Sequence, residues 1–257
     1  MNEKDSIVKK SDEMIADVRY ELTLTQYKLI LFVMARIRVA DEDFKTYDIP
    51  ILEMVASTGL SPEGAYTRVE KEAIALMKKV WKIKKINPEG KQETTALAWF
   101  SAFHHTEGSG SVQVRFDPGL KPYLLQLKSH FTTYPLACVL ALRSVYSIRL
   151  YELLKKEAAF KSSVSFDLEA FKQTLQIDEK PYFSQYSNIK AFVLLPSKKE
   201  ISAKTDLKVL KIKEKKQGRK VIGFTIFFEK SLTEIEQVRE EVLKSLNINE
   251  SILPCKE

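Results

Sequence analysis

The sequence is poor in the residues that carry covalent or metal chemistry. It has two cysteines, Cys138 and Cys255, far apart and at no metal-ligand spacing, a pattern that fits a reducing compartment. Of its three histidines, His104 and His105 are adjacent and His130 stands alone. Neighbouring residues on a strand point to opposite faces, so the pair is badly placed to share one metal ion. No Gly-x-x-x-x-Gly-Lys-Ser/Thr stretch occurs, which argues against an ATPase or helicase built on a phosphate-cradling loop. No apolar run reaches the ~20 residues of a membrane span. The polar start, Met1 to Val8, is unlike a signal peptide. With only 8 glycines and 44% hydrophobic residues, the chain is neither low-complexity nor short of core material. These absences predict a soluble, cytoplasmic protein with no cofactor, no metal and no membrane partner.

What the chain does have is positive charge. The net charge is +7 over 257 residues, and a basic balance favours a polyanionic partner. The charge is concentrated. From Lys198 to Lys220, ten Lys/Arg face three acids (Glu200, Asp206, Glu214), an excess equal to that of the whole chain.

The length suits two domains of about 100–130 residues. Residues 1–20 read as a polar arm. Thr23 and Gln26 make a capping box, and Tyr27, Ile30, Leu31, Met34 and Ile37 recur at helical spacing. A short strand, Phe44 to Ile49, precedes a helix that starts at Pro50 and is broken by Gly59. Ser61 and Pro62 signal a third helix, to about Lys79, with Ala65, Val69, Ala73, Leu76 and Val80 on its apolar face. Val80–Ile86, an Asn-Pro-Glu-Gly turn and Thr94–Phe103 then form a hairpin, followed by one more strand, Val112–Phe116. This order is a helix-turn-helix with a β-hairpin wing, the winged helix.

The second half repeats the pattern. Residues 117–135 look like a connector. A long helix is expected from Pro135 to Ala158, a short strand from Val164 to Phe166, and a helix capped by Asp167 to Leu175. A further helix runs from Ser184 to Lys204, where Pro196 should kink or end it. The final hairpin, Leu207–Ile212 with Val221–Phe228, turns through Lys213–Lys220. A last amphipathic helix, Ser231 to Leu246, opens with Ser231 and Glu234. Its tail carries six acids against three bases, which argues against DNA contact there. The predicted class is α+β with two tandem winged-helix domains: an arm (1–20), a first domain (21–117), a second domain (118–230) and a C-terminal helix and tail (231–257).

Several stretches resemble the iteron-binding plasmid replication initiators, the Rep_3 superfamily. These are Ile7-Val-Lys-Lys-Ser-Asp-Glu-Met14 with Tyr20-Glu-Leu-Thr-Leu-Thr-Gln-Tyr-Lys-Leu29, and Ser144-Val-Tyr-Ser-Ile-Arg-Leu-Tyr-Glu-Leu-Leu154. Asn188-Ile-Lys190, Val193-Leu194, Pro196, Lys199-Glu-Ile201, Lys204-Thr-Asp-Leu-Lys-Val209 and Gly218-Arg-Lys220 also match. The resemblance covers about residues 7 to 229. It implies binding to direct repeats in double-stranded origin DNA, help in opening the origin, and recruitment of the host replication initiator and helicase machinery. It also implies homodimerisation through the first domain, with the dimer repressing its own promoter. Many relatives have two consecutive basic residues after the lysine matched by Lys190; here they are Ala191 and Phe192.

The candidate DNA contacts follow from element and charge. On the second domain's third helix, Ile189 and Val193 face inward, while Ser184, Ser187, Asn188, Ala191 and Lys198 face outward with Lys190 at the edge. An asparagine amide matches the donor and acceptor edge of adenine, and lysine suits guanine or phosphate. Lys211, Lys213, Lys215, Lys216, Arg219 and Lys220 crowd the wing. A lysine-rich run is often only a solvated loop; its place behind a recognition helix favours phosphate contact. Thr67, Arg68 and Lys71 are the corresponding candidates in the first domain, where a dimerisation role competes. The apolar strands near Trp81 and Ala96–Phe103 suit either a dimer interface or core.

Two other functions compete with this reading. A rolling-circle nicking enzyme needs a metal site, often two histidines separated by one apolar residue, beside a tyrosine nucleophile. The histidines lack that spacing, and Tyr146 and Tyr151 sit at core positions. A dimeric winged-helix transcriptional regulator has the same physics as an initiator, and only the family motifs separate the two.

Overall fold

The computed structural model describes residues 6–16, 21–58 and 63–231. The expected Gly59 break, the Ser61–Pro62 start and the helix beyond Ser231 lie outside them. The chain opens with strand β1 (Ile7–Ser11) and a helical turn α1 (Asp12–Ala16). The first half continues with α2 (Leu24–Met34), β2 (Tyr47–Pro50), α3 (Ile51–Thr58), α4 (Ala65–Lys78), β3 (Val80–Ile86), β4 (Gln92–Ala98), β5 (Phe100–His105) and β6 (Ser111–Phe116). Short α5 (Lys121–Leu124), β7 (Phe131–Pro135) and α6 (Leu136–Leu140) follow. The second half comprises α7 (Val145–Glu157), β8 (Ser163–Asp167), α8 (Leu168–Leu175), α9 (Tyr186–Ile189), α10 (Leu195–Lys204), β9 (Leu207–Gln217) and β10 (Lys220–Lys230).

The Thr23–Gln26 capping box forms as the sequence predicts. The Gln26 N–H donates to Thr23 Oγ1 at 3.2 Å, and the Thr23 N–H donates to Gln26 Oε1 at 3.1 Å. The helix it starts is apolar almost all round, and every residue from Gln26 to Met34 is buried. Such a helix can only be a core element. Ser144 and Asp167 cap α7 and α8 in the same way, each accepting from backbone N–H groups of the first turn.

The two halves share a sheet plan. The strand order is β2-β6-β5 in the first and β8-β10-β9 in the second. In both, a short strand between helices pairs antiparallel with the last strand of the wing. This revises the first wing. Thr94–Phe103 is not one strand returning against Val80–Ile86. It breaks at Trp99, whose ring is buried 6.3 Å from that of Trp81. Residues up to Ala98 pair with β3, whereas Phe100–His105 pair with β6. The wing equivalent is therefore β5–β6, and β3–β4 is an additional hairpin.

Three other expectations need correction. Residues 7–16 are not part of a free arm: β1 pairs with β7 in antiparallel register, and Lys10, Met14 and Ile15 are buried. The connector 117–135 ends in that strand, so the helix expected from Pro135 is instead short α6, a turn, and a separate α7 capped by Ser144. Pro196 does not end its helix. The five residues Lys190–Leu194 form a π-helical turn in which the Leu195 N–H reaches the Lys190 carbonyl. The wider turn lets the helix continue through Pro196, which sits in the first turn of α10.

A polar network is buried where the halves meet. Glu152 of α7 is fully buried and pairs with Lys10 Nζ at 2.6 Å. It also accepts from the Tyr27 hydroxyl at 2.6 Å and from the Tyr134 hydroxyl, and Arg149 lies 3.8 Å away. A buried carboxylate needs this many partners, because desolvation penalises the bare charge. Nearby, the Lys28 ammonium donates to the Leu140 carbonyl at 2.6 Å. Burial lowers its pKa to about 8, with Lys204 and Arg143 adding like charge against Glu200.

Candidate nucleic-acid interface

Helix α9, the π turn and α10 pack their inner face through Ile189, Val193, Leu194, Ser197 and Ile201, all buried. Ser184, Ser187, Lys190, Ala191, Phe192, Leu195 and Lys199 are exposed on the other side. Ile189 and Val193 thus face inward as the periodicity predicts. Lys198, expected to face outward, is half-buried, and its ammonium donates to the Leu210 carbonyl at 2.6 Å. The π turn inserts one extra residue into the helix, so each later side chain is displaced by one position. Lys199 takes the exposed place expected of Lys198. Asn188 is partly covered, and its Nδ2 donates to the Tyr182 carbonyl at 2.7 Å, anchoring the preceding turn.

The wing is longer and tighter than expected. Its strands extend to Gln217 and Lys220, which pair, leaving only Gly218 and Arg219 at the tip. Gly218 holds φ +60°, a left-handed conformation that glycine adopts without a steric penalty. One register shift in β9 matters more. Val209 pairs with Phe228 and Lys211 with Phe227, so Leu210 is an extra residue. A bulge of this kind reverses the alternation of faces. Leu207 and Val209 point into the core before it; beyond it Lys211, Lys213 and Lys215 point out. The bulge therefore gathers three lysines on one face, with Lys216, Arg219 and Lys220 exposed towards the tip.

The helix and the wing are joined by charge. Lys190 Nζ lies 2.8 Å from Glu214 Oε1, and Lys216 Nζ lies 3.2 Å from the other carboxylate oxygen. Hydrogen bonds from Lys190 and then Lys216 hold the Glu214 carboxyl below its usual range. Lys211 reaches across to its partner strand, its ammonium 4.7 Å from the centre of the Phe227 ring. Lys190 and Lys216 thus meet at Glu214 on the helix-facing side of β9, Lys211, Lys213 and Lys215 lie on the strand's other face, and Lys198 holds the two elements together.

In the first half, Thr67 and Lys71 are exposed on α4. Arg68 is half-buried and donates back to the Glu63 carbonyl at the start of its own helix. Residues 63–79 carry four bases against three acids, so this face lacks the charge excess of the second half. Tyr151 is buried and donates to Asp206 at 2.7 Å; burial raises its pKa well above the usual phenol range. Burial likewise pushes the Cys138 thiol up to about 11. Cys255 lies outside the described residues. Among the described residues, no group of three His, Cys, Asp or Glu is placed to hold a metal ion. No described helix is long and apolar enough to cross a membrane.

Comparison with known proteins places this architecture. Residues 7–155 match the family described as "Initiator Replication protein, WH1", and residues 167–228 match "Initiator Rep protein, WH2". The chain belongs to this initiator family. An Escherichia coli "Replication initiation protein" is 27% identical over 214 residues, covering 79% of this chain and 64% of that relative. This chain therefore spans slightly less than two thirds of that relative's length. The crystal structure of Pi initiator protein in complex with iteron DNA superposes with a TM-score of 0.72 at 20% identity, covering 90% of this chain and 100% of that one. Domains 2 and 3 of RctB superpose with a TM-score of 0.51 at 11% identity, covering 89% and 92%. At these identities the structural likenesses bear on the fold alone. Both halves of this initiator-family chain are winged helices.

Sequence reasoning missed three features of the site. Glu214 had counted only as an acid within a basic run; its contact with Lys190 spans 24 residues and has no local signature. The Leu210 bulge was hidden because lysine and apolar residues alternate on both sides of it. Phe192 was noted only as standing where relatives carry a basic residue; its exposed contact with Tyr182, ten residues away, has no local signature.

Proposed function

We propose that this chain is a plasmid replication initiator. It binds direct repeats in double-stranded origin DNA, promotes opening of the adjacent duplex and recruits the host initiator and helicase machinery. The observation that carries this reading is an exposed helix face whose Lys190 is tied through Glu214 to a hairpin that carries a bulge-aligned row of lysines. A helix of this kind enters the major groove while a basic wing contacts phosphates. The iteron complex of the Pi initiator protein, which has the same fold, supports the assignment.

Ser184, Ser187, Asn188 and Lys190 are placed at base edges or the adjoining phosphates. Lys211, Lys213, Lys215, Lys216, Arg219 and Lys220 are placed along the backbone. Lys198 acts through the wing rather than by contact. Thr67, Arg68 and Lys71 make accessory contacts from the first domain, which also serves homodimerisation and autorepression. The protein works in the cytoplasm by binding, without covalent chemistry of its own.

A footprint of the full chain on the DNA flanking its gene, with random duplex as competitor, tests this. Regularly spaced protection over direct repeats is expected. Protection of one inverted repeat alone points to a dimeric repressor, and no specific protection refutes the assignment. A covalent tyrosyl adduct or nick on supercoiled DNA with divalent metal would overturn the non-enzymatic part.

A further inference from the structure

The exposed face of the recognition helix is apolar where a base-reading helix is usually polar. Phe192 is 56% exposed, Leu195 49% and Tyr182 52%. Phe192 and Leu195 lie about one turn apart, and Ala191 and Pro196 beside them are also exposed. None of these four side chains can donate or accept a hydrogen bond. The Phe192 ring is held edge-on against Tyr182 at 5.2 Å, and the turn carrying Tyr182 is fixed by Asn188. Lys190 and Lys199 flank the patch on the exposed side of the same helix, and Glu214 ties Lys190 to the lysine-bearing wing. That cationic border fits a polyanion rather than another apolar protein surface. The major groove displays one apolar group, the C5-methyl of thymine.

We propose that Phe192 and Leu195, backed by Tyr182, form a specificity edge that reads thymine methyl groups in the major groove. The inference rests on the DNA-binding reading above and supplies its chemistry. Base discrimination along this stretch then comes from methyl burial, with Asn188 and Lys190 giving polar readout only towards the start of the helix. Leu195 extends the edge one turn further, so two thymines a few base pairs apart, on either strand, are the natural target.

The test replaces each thymine of a protected site with uracil, which removes only the methyl group. Affinity of the full chain is measured by competition. Loss of one buried methyl is expected to weaken binding about fourfold at each read position, since one buried carbon is worth ~0.8 kcal/mol and 1.4 kcal/mol is tenfold. Phe192→Ala should abolish that penalty at one position and leave the salt dependence unchanged. Leu195→Ala should do so at the other. The uracil scan uses the wild-type chain, so it does not depend on how the variants fold. Specific binding with no uracil penalty anywhere, or penalties that persist in both variants, overturns the methyl edge and leaves the initiator reading standing. Absence of any specific site removes both.

Discussion

Neutralising the wing gives a number that the structure sets in advance. Changing Lys213, Lys215, Lys216 and Lys220 to Ala removes four charges, and a simple count assigns four phosphate contacts to them. The geometry argues for fewer. Glu214, the one acid between Leu207 and Phe228, lies 3.2 Å from Lys216 and 2.8 Å from Lys190, so Lys216 is already partly neutralised. Lys213, Lys215 and Lys220 are exposed with no acid of their own on the hairpin. Three full contacts at ~0.9 each predict that the slope of log K against log salt becomes shallower by about 2.7 rather than about 3.6. Over a fourfold rise in salt, the variant should lose about 40-fold less affinity than the wild type does. Fluorescence anisotropy on cognate and random duplex at four or more salt concentrations measures this. Both duplexes should show the same change, because phosphate contacts carry no sequence information. An unchanged slope would show that the hairpin faces solvent, and a change confined to the cognate duplex would contradict a backbone role.

Glu214→Gln releases Lys190 and Lys216, and should steepen the same slope by about one while tightening binding to random duplex; a weaker-binding variant would mean that the pair positions the helix. Glu152→Gln leaves the buried Lys10 charge without its partner and should cost about 3–5 kcal/mol in urea unfolding; a loss under 1 kcal/mol would show that β1 is not held by this pair. Lys28 has a folded pKa of about 8 against an ordinary 10.5, so the unfolded chain binds more protons between those values and stability from this group rises with pH across that window. Lys28→Met should therefore be more stable than wild type by about 1–3 kcal/mol at pH 7, with the gain shrinking towards pH 10, and a pH-independent difference would refute the depressed pKa.

The sequence made the architecture legible where local signals agree. Thr23 with Gln26, Ser144 and Asp167 lie at sites where a side chain satisfies the first N–H groups of a helix, and those of Thr23–Gln26 and Asp167 mark helix starts that the periodicity also predicts. The long-range features were not legible. β1 and β7 pair although Ser11 and Phe131, their nearest partners in sequence, are 120 residues apart, and Ile7-Val-Lys-Lys-Ser is short and charged enough to pass for an arm. The buried Lys10 is explained only by Glu152, on another element. In the candidate interface, local structure mattered more than residue type. One π turn and one bulge then decided which side chains face out, and each depends on a single extra residue with no compositional mark.

The stretch Ser144–Leu154, the strongest family resemblance, is not itself a contact surface. Its side chains are turned inward: Ser147 meets Ser197 of α10 at 3.2 Å, Arg149 donates to the Thr174 carbonyl at the end of α8 at 3.1 Å, and Tyr151 reaches Asp206 at the start of the wing. Glu152 reaches Lys10 and Tyr27 of the first half. One helix thereby fixes the end of α8, the helix α10, the root of the wing and the first half of the chain. Each of these bonds is directional and at least partly buried, so each allows one arrangement rather than a range. A binding surface composed of a helix face and a hairpin needs its two parts held to within a fraction of an ångström to match groove and phosphates together. Within one chain, α7 does this from behind, which leaves the outward residues free to differ. Ala191 and Phe192 are among these outward residues, and none of the α7 bonds passes through them.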